Sequence, residues 1–301
     1  MDWLTVPRDW IASFGEIARF CLRVLGQVFG LRVFRFFGEE LRQAGILILS
    51  STLVIWGLVF IIGLQCGIEG AYFNRSVGAP AYAGVFAAWC DLREVMPYAF
   101  GYGAPGLQAA NFLVLFGAID RLGGFFVLAS IREFAPFVDA VVLAGVAGTA
   151  ITAGLGARKI REELDALQVL GVDPVKNLVV PRFLALMVVT GLFDIYALLF
   201  GIFGGIIATL VNGAPLGPFF ATFLTNASIT DLWGSVLKCT LFGAIIAIVC
   251  CYKGMTASGG AQGVGRAVNQ AVVIAFLGVF AFNYVFTQTL LATHPEITVI
   301  K

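Results

Sequence analysis

Long apolar stretches separated by short polar segments are the dominant pattern along this chain of 301 residues. Each stretch has roughly 20 residues or more, the length that an α-helix needs to cross the hydrocarbon core of a bilayer. The pattern therefore predicts five transmembrane helices, at residues 44–64, 122–151, 183–211, 232–252 and 267–291.

The first 43 residues follow a different pattern, in which apolar and charged positions recur with the helical period. One side of the predicted helix carries Ile11, Phe14, Ala18, Cys21, Leu22, Leu25, Val28 and Phe29, and the other carries Asp9, Glu16, Arg19, Arg23 and Gln27. Residues 1–43 are therefore predicted to contain an amphipathic helix on the cytoplasmic membrane surface. The alternative is a helix packed against the soluble part of the same chain, which is small.

The segments between the apolar stretches differ in character. Residues 65–106 are mixed, charged and rich in Gly and Pro, which predicts an external subdomain or a long loop. Residues 107–117 are apolar but too short to span, so we predict a re-entrant or interfacial piece. Residues 212–232 are expected to form an outer loop, and Gly259–Asn269 a glycine-rich internal turn.

The basic residues predict the orientation of the chain. Outside the N-terminal segment they concentrate in two loops, at Arg158, Lys159, Arg161, Lys176, Arg182, Lys253 and Arg266. Because basic loops stay in the cytoplasm, the N-terminus is predicted inside and the C-terminus outside. Arg75 and Arg93 oppose this count, but they lie in a long segment, where the rule is weak. The predicted class is an all-α integral protein of the cytoplasmic (inner) membrane, with one polytopic domain over residues 44–301.

Composition agrees with this class and excludes others. Apolar residues make up 59% of the chain and charged residues 12%, and the mean hydropathy is +0.94. The net charge of +1 gives no reason to expect nucleic-acid binding. The six cysteines form no CxxC pair and His294 is the single histidine, so we predict neither a metal site nor a catalytic residue. The chain also lacks a GxxxxGK[ST] motif and is expected to carry no cofactor.

The second and third predicted spans contain charged residues. Arg132, Glu133 and Asp139 lie in the second span and Asp194 lies in the third, at depths where an unpaired charge costs several kcal/mol. Arg132 and Asp139 are seven residues apart on one helical face, so an internal network or a hydrated cavity would satisfy them together with Glu133. A bridge between helices and a gate on a substrate path both remain open.

Small residues predict close helix packing in two places. They crowd residues 144–156, at Ala144, Gly145, Ala147, Gly148, Ala150, Ala153, Gly154 and Gly156. In the third span Gly201 and Gly205 are four residues apart and lie on one helical face.

Residues 157–176 change abruptly to an amphipathic pattern. The apolar positions Ile160, Leu164, Leu167 and Leu170 recur at helical spacing among Arg161, Glu162, Glu163 and Asp165. Gly171 permits a C-terminal cap, and Asp173-Pro174 can start the next helix. We predict a short cytoplasmic helix joined stiffly to two spans. Periodicity alone also fits a surface helix that merely closes the loop.

The same region resembles a known family. The segment IREFAPFVDAVVLAGVAGTAITAGLGARKIREELDALQVLGVDPVKNLVVPRF is similar to the signature region of the MlaE/YrbE permeases, the membrane subunits of MCE-type ABC lipid transporters. The likeness continues more weakly through GGAQGVGRAVNQAVV and covers residues 106–291. The EELDAL segment resembles the actinobacterial branch of the family. That family has an interfacial helix and five spans, in agreement with the count above.

The resemblance implies partners and residue roles. It implies a permease dimer, with a heterodimer favoured over a homodimer, two cytoplasmic ATPases that bind ATP and Mg, and MCE-domain proteins outside. Residues 44–301 would be the permease domain, residues 157–176 its coupling loop and Glu162–Gly171 the coupling helix. The residues that couple to the ATPase would be Arg161, Glu162, Glu163, Leu164, Asp165, Leu167, Gly171 and Asp173. Arg132, Glu133 and Asp139 would lie at the lipid cavity or its gate. Gly154 departs from relatives that often have Glu there, and residues 65–106 resemble an insertion that would contact the MCE proteins.

The function that the resemblance implies is ATP-driven movement of lipids across the cell envelope, as import. Fatty acids, phospholipids, mycolic acids and sterols all remain open as substrates. An ion-coupled carrier or channel without an ATPase is the alternative, with Arg132, Glu133, Asp139 and Asp194 along its pathway. A membrane anchor for an envelope complex is a third.

Overall fold

The computed structural model describes residues 5–28, 127–211 and 216–294, together with residues 38, 42, 44, 45, 48, 123 and 124. Within these ranges four helical stretches are long and apolar enough to cross a membrane: Ile131–Ile160, Val175–Ile207, Ile229–Met255 and Gly260–Thr293. They match the second to fifth predicted spans, which are confirmed as helices. Apart from a few single positions, the predicted span at 44–64, the external segment 65–106 and the piece at 107–117 lie outside the described residues.

We number the α-helices in chain order. They are α1 (Thr5–Val28), α2 (Ala135–Leu143), α3 (Thr149–Ile160), α4 (Glu163–Val169), α5 (Val180–Val211), α6 (Leu216–Asn226), α7 (Ile229–Met255) and α8 (Gly260–Thr293). Wider π-helical turns precede α2, α3 and α5, at Val127–Phe134, Ala144–Gly148 and Val175–Val179.

The expected glycine-rich internal turn is wrong in extent. Helix α8 begins at Gly260 and includes nearly all of that segment, so residues 256–259 alone connect it to α7. Gly259 and Gly260 have φ angles of +89° and +67°, which favour glycine. A Cβ on Gly263 would lie 1.8 Å from the carbonyl oxygen of Ser258. The glycines therefore permit a tight turn into a helix and do not form a flexible linker.

The expected outer loop at 212–232 is also corrected, because it contains α6 and the start of α7. Phe219 and Phe223 are buried, with their rings stacked 6.0 Å apart. A Cβ on Gly123 would lie 1.9 Å from the carbonyl oxygen of Phe219, so α6 rests directly on that glycine. With 11 residues, α6 is too short to span a bilayer.

The chain divides into two compact units. The first comprises Met1–Thr52, Ala140–Gly191 and Cys239–Phe282, and the second comprises Leu53–Asp139, Leu192–Lys238 and Asn283–Lys301. Helices α2, α5, α7 and α8 therefore contribute a segment to each unit.

In the first unit, α3 and the π-helical turn before it pack closely against α7. A Cβ on Gly148 would lie 2.8 Å from the sulfur of Cys250, and a Cβ on Gly254 would lie 2.8 Å from the Cβ of Leu155. The Thr152 hydroxyl is 2.8 Å from the carbonyl oxygen of Gly148 and 3.1 Å from that of Cys250. Small residues thus let the two backbones approach, and a hydroxyl hydrogen-bonds across the crossing.

The other glycines proposed for packing differ in their surroundings. A Cβ on Gly145 or Gly154 would meet nothing within 4 Å. Gly201 and Gly205 are both buried in α5. Among the small residues of 144–156, close packing therefore requires glycine at positions 148 and 156. A Cβ on Gly156 would lie 3.2 Å from the side chain of Val264.

Helix α1 packs within the first unit through a side of the helix that the sequence pattern did not predict to be buried. The Tyr252 hydroxyl donates a hydrogen bond of 2.6 Å to Glu16, and the rings of Phe20 and Tyr252 lie 5.6 Å apart. Val24 is fully buried, whereas Leu22 on the predicted apolar side is 71% exposed. The helix thus packs on its own chain by one side and leaves Leu22, on its predicted apolar side, exposed.

Candidate functional site

A proline near the start of α2 removes one backbone hydrogen-bond donor from the helix. Pro136 has no N–H, so the carbonyl oxygen of Arg132 lacks the partner that an α-helix would supply four residues later. Here the chain winds as the π-helical turn Val127–Phe134, and Lys238 of α7 donates a hydrogen bond of 2.6 Å to that carbonyl. The proline thus provides a backbone acceptor for a buried cation.

Glu133, the next residue, contacts three polar side chains from two helices, α7 and α8. One carboxylate oxygen accepts hydrogen bonds from Thr287, at 2.9 Å, and from Lys238, at 3.4 Å. The other accepts from the amide of Asn283 at 2.9 Å. Lys238 also donates to the Thr287 hydroxyl at 3.2 Å. A carboxylate inside an apolar bundle is therefore held by an ion pair and two polar side chains.

Lys238 is the most buried cation of this group. It is only 2% exposed, and its Nζ lies 5.9 Å from the centroid of the Phe286 ring. A desolvated ammonium gains from an aromatic face at this distance, in addition to its contacts with Glu133 and the Arg132 carbonyl. Because a buried charge is costly without such partners, the position of Lys238 depends on all of them.

Arg132 forms a second ion pair beside the first. Its guanidinium donates to Asp231 of α7 at 2.6 Å and 3.3 Å, one bond to each carboxylate oxygen. Asp231 also accepts hydrogen bonds from the backbone N–H and the hydroxyl of Ser228, at 3.1 Å and 2.8 Å, and its own N–H donates to that hydroxyl. This is a capping box, so Arg132 is anchored to the rigid start of a helix.

We call these six residues the polar network: Arg132, Glu133, Asp231, Lys238, Asn283 and Thr287. Two buried polar atoms in the same unit have no hydrogen-bond partner among the described residues, the Ser235 hydroxyl and the side-chain oxygen of Asn283. Buried polar atoms are normally paired, so these two are available to a polar ligand.

The structure places the predicted charged residues in one unit. Arg132 and Glu133 belong to the polar network, while Asp139 and Asp194 are fully buried in α2 and α5. Sequence reasoning missed Asp231, Lys238, Asn283 and Thr287. The rule that singled out Arg132, a charge within an apolar stretch, would also have found Lys238 inside the predicted span 232–252.

The coupling loop contains the expected short helix, α4, with an abrupt bend before it. Glu162 adopts a left-handed conformation with φ of +59°, which separates α3 from α4. Gly171 follows α4 with φ of +75°, in agreement with the predicted C-terminal cap. Asp173 then accepts a hydrogen bond of 3.0 Å from the N–H of Val175 and so caps the next helical turn. Both ends of α4 are thus fixed by backbone geometry.

The surface of α4 combines charges with exposed apolar side chains. Lys159 pairs with Asp165 at 2.9 Å and Arg161 pairs with Glu163 at 2.8 Å, both near the surface. Leu164 is buried beneath the helix, and Leu167 is partly buried. Val169 and Leu170 are 88% and 76% exposed at its end. This apolar tip, next to a ring of charges, has the composition of a contact surface for another protein.

Comparisons with known proteins agree on one family. The family model for the permease MlaE matches residues 103–289. A probable ABC transporter permease protein of Synechocystis sp. is 37% identical over 183 residues, 59% of this chain and 68% of the relative. A second such protein, from Rickettsia typhi, is 32% identical over 211 residues, 68% of this chain and 80% of the relative.

A third relative has a more specific description. The intermembrane phospholipid transport system permease protein MlaE of Haemophilus influenzae is 29% identical over 184 residues, 60% of this chain and 70% of the relative. The region matched by the family model includes the whole polar network and the whole coupling loop. With its membrane-spanning helices, the chain belongs to the MlaE family of permeases.

Proposed function

We propose that this chain is the permease subunit of an ATP-driven transporter that moves lipids across the cell envelope, with ATP and Mg bound on a separate ATPase chain. The observation that carries the proposal is the polar network, a charged site built into helices that are otherwise apolar. We propose that the apolar side chains of the same helices hold the acyl chains, each buried methylene contributing about 0.8 kcal/mol.

The polar network has the chemistry to handle a lipid headgroup. Lys238 and Glu133 offer a cation and an anion that pair with each other at 3.4 Å. A headgroup with a phosphate would compete for Lys238, and the unpartnered oxygen of Asn283 would accept from a headgroup hydroxyl or ammonium. Exchange of these partners is a means to open and close the site without covalent chemistry.

The coupling loop supplies the connection to the ATPase. We propose that a cleft on the ATPase receives the exposed Val169 and Leu170, with the charges of Arg161, Glu162, Glu163 and Asp165 around them. The left-handed Glu162 and Gly171 make α4 a stiff unit, so a push on its tip is passed to α3 and α5.

The finer assignments follow from the resemblance and the relatives. The description of the Haemophilus influenzae relative favours a phospholipid over a fatty acid or sterol, and we propose import as the direction. A second permease subunit, a pair of ATPases and MCE-domain proteins outside complete the proposed assembly, which would lie in the inner membrane.

Replacing Gly171 by valine is expected to uncouple ATP hydrolysis from lipid transfer. A β-branched residue at φ of +75° is strained, so the exit from α4 must move. Lipid transfer per ATP hydrolysed should fall about tenfold, the factor for roughly 1.4 kcal/mol of strain. Gly217→Val, at an open glycine in α6, is the matched control. Equal coupling ratios in the two variants would contradict the assignment.

The ion-coupled carrier makes a different prediction, because the same charges would form its pathway. A purification in mild detergent separates the two. An ATPase with a P-loop that copurifies with the chain, and whose activity responds to lipid, supports the proposal. A chain that purifies alone and moves ions down a gradient supports the carrier.

A further inference from the structure

Helix α1 contacts the coupling loop directly. The side-chain amide of Gln27, near the end of α1, donates a hydrogen bond of 2.8 Å to Asp173. The other carboxylate oxygen of Asp173 accepts from the N–H of Val175 and so caps the helical turn that follows the loop. Helix α1 also packs against that turn, Val175–Val179. One carboxylate therefore joins α1 to the exit of the coupling loop.

The other contact of α1 is with the end of a membrane-spanning helix. Glu16 accepts a hydrogen bond of 2.6 Å from Tyr252, three residues before the end of α7, and Phe20 packs on the same ring. Glu16 and Gln27 are 11 residues apart, so α1 spans about 16 Å between its two attachments. Both attachments and the buried Val24 lie in the first unit.

The opposite side of α1 exposes one large apolar side chain and two arginines. Leu22 is 71% exposed, and Arg19 and Arg23 beside it are exposed as well. An exposed leucine beside two arginines fits the headgroup layer of a bilayer with anionic lipids, where the leucine reaches hydrocarbon and the guanidinium groups reach phosphates.

We propose that α1 holds the coupling loop in position from the membrane surface, with Gln27 and Glu16 as its positioning residues. The bilayer fixes the outer side of α1, and the Gln27–Asp173 hydrogen bond passes that constraint to the exit of the coupling loop. This inference rests on the proposed function, because a coupling loop acts only if an ATPase moves it.

An exchange of the hydrogen-bonding groups tests the contact. Gln27→Glu places a second carboxylate against Asp173, and repulsion should displace α1 from the loop. Asp173→Asn keeps an oxygen for the cap and offers an amide in place of the second oxygen. The double variant Gln27→Glu/Asp173→Asn restores an amide–carboxylate pair with the roles reversed.

The measurement is lipid transfer per ATP hydrolysed by the complete transporter in vesicles of phosphatidylcholine and phosphatidylglycerol. We expect Gln27→Glu to lower this ratio about threefold to tenfold, the factor that corresponds to one hydrogen bond, and the double variant to recover it. A wild-type ratio for Gln27→Glu, or a double variant no better than the single one, would overturn the inference. If the wild-type complex moves lipid without ATP, the proposed function fails instead.

A second measurement addresses the bilayer side without any activity. Cys21 is replaced by serine, and a fluorophore is attached to Leu22→Cys in the full complex. Brominated phospholipids are expected to quench it, because the side chain at this position should reach the acyl region. Fluorescence that is unchanged by brominated lipid would remove the bilayer as the partner of this face.

Discussion

Replacing Lys238 by methionine is expected to destabilise the protein by about 3–5 kcal/mol and to abolish lipid transport. The substitution keeps most of the side-chain volume but removes the cation from Glu133 and the hydrogen bond that Lys238 donates to the Arg132 carbonyl. Thermal unfolding in detergent measures the first effect and transfer of labelled lipid from vesicles measures the second.

The double variant Lys238→Met/Glu133→Gln makes this prediction sharper. Breaking a buried ion pair on one side is costly because a charge remains, whereas neutral replacement of both partners costs little. We therefore expect the double variant to be more stable than either single variant and still inactive, since the headgroup site has lost its charges. If the double variant transports lipid at the wild-type rate, the Lys238–Glu133 pair serves only as a structural bridge between helices.

Lys253→Met is the control on the same helix. Lys253 donates to Gln270 at 3.2 Å near the surface, where such contacts contribute less than about 1 kcal/mol. Its thermal unfolding should match that of the wild type. A similar loss of stability in both lysine variants would mean that burial of Lys238 does not explain the effect.

The second large effect is expected from Gly254→Ala, at the crossing of α3 and α7. A Cβ there would lie 2.8 Å from the Cβ of Leu155 and 3.0 Å from the carbonyl oxygen of Thr152. Neither atom can move without shifting α3, so we expect a loss of about 1–3 kcal/mol of stability. Because α3 leads into the coupling loop, the ATPase activity of the complex should lose its response to lipid as well.

Gly154→Ala is the matched control in α3. Its Cβ would meet nothing within 4 Å, and alanine favours a helix over glycine by up to about 1 kcal/mol. Stability should therefore be unchanged or higher. If Gly154→Ala were as harmful as Gly254→Ala, the damage could not be attributed to the helix crossing.

The spans and the coupling loop could be predicted from sequence because their signals are local. Four apolar stretches of sufficient length became helices, and Gly171 ended α4 with the left-handed conformation that glycine permits. Each of these features depends on residues close together in the chain, so composition and period are enough to find them.

The partners of Glu133 could not be predicted in the same way. Asn283 and Thr287 are 150 and 154 residues away in the chain, and an uncharged polar residue in a span has no distinctive pattern. Asp231 lies within the predicted outer loop at 212–232 and therefore outside every predicted span. Such contacts depend on which helices pack together, and only the fold determines that.

The prediction of a turn over the glycine-rich segment after α7 was wrong for another physical reason. Glycine signals both flexibility and close approach, and the sequence does not separate the two. At Gly263 the carbonyl of Ser258 occupies the space of a side chain, so the residue is required for a tight turn. The period of Val264, Ala267, Ala271 and Ala275, all on the buried side of α8, was the available indication of a helix.

The central claim is that ATP hydrolysis on a partner chain drives lipid through this permease. It is tested most directly by reconstituting the chain with its copurifying ATPase in vesicles and following transfer of a fluorescent phospholipid to acceptor protein. Transfer that requires ATP, stops with a hydrolysis-deficient ATPase and is lost in Lys238→Met is the predicted result. Transfer that proceeds equally without ATP, or that is driven by an ion gradient alone, would contradict it.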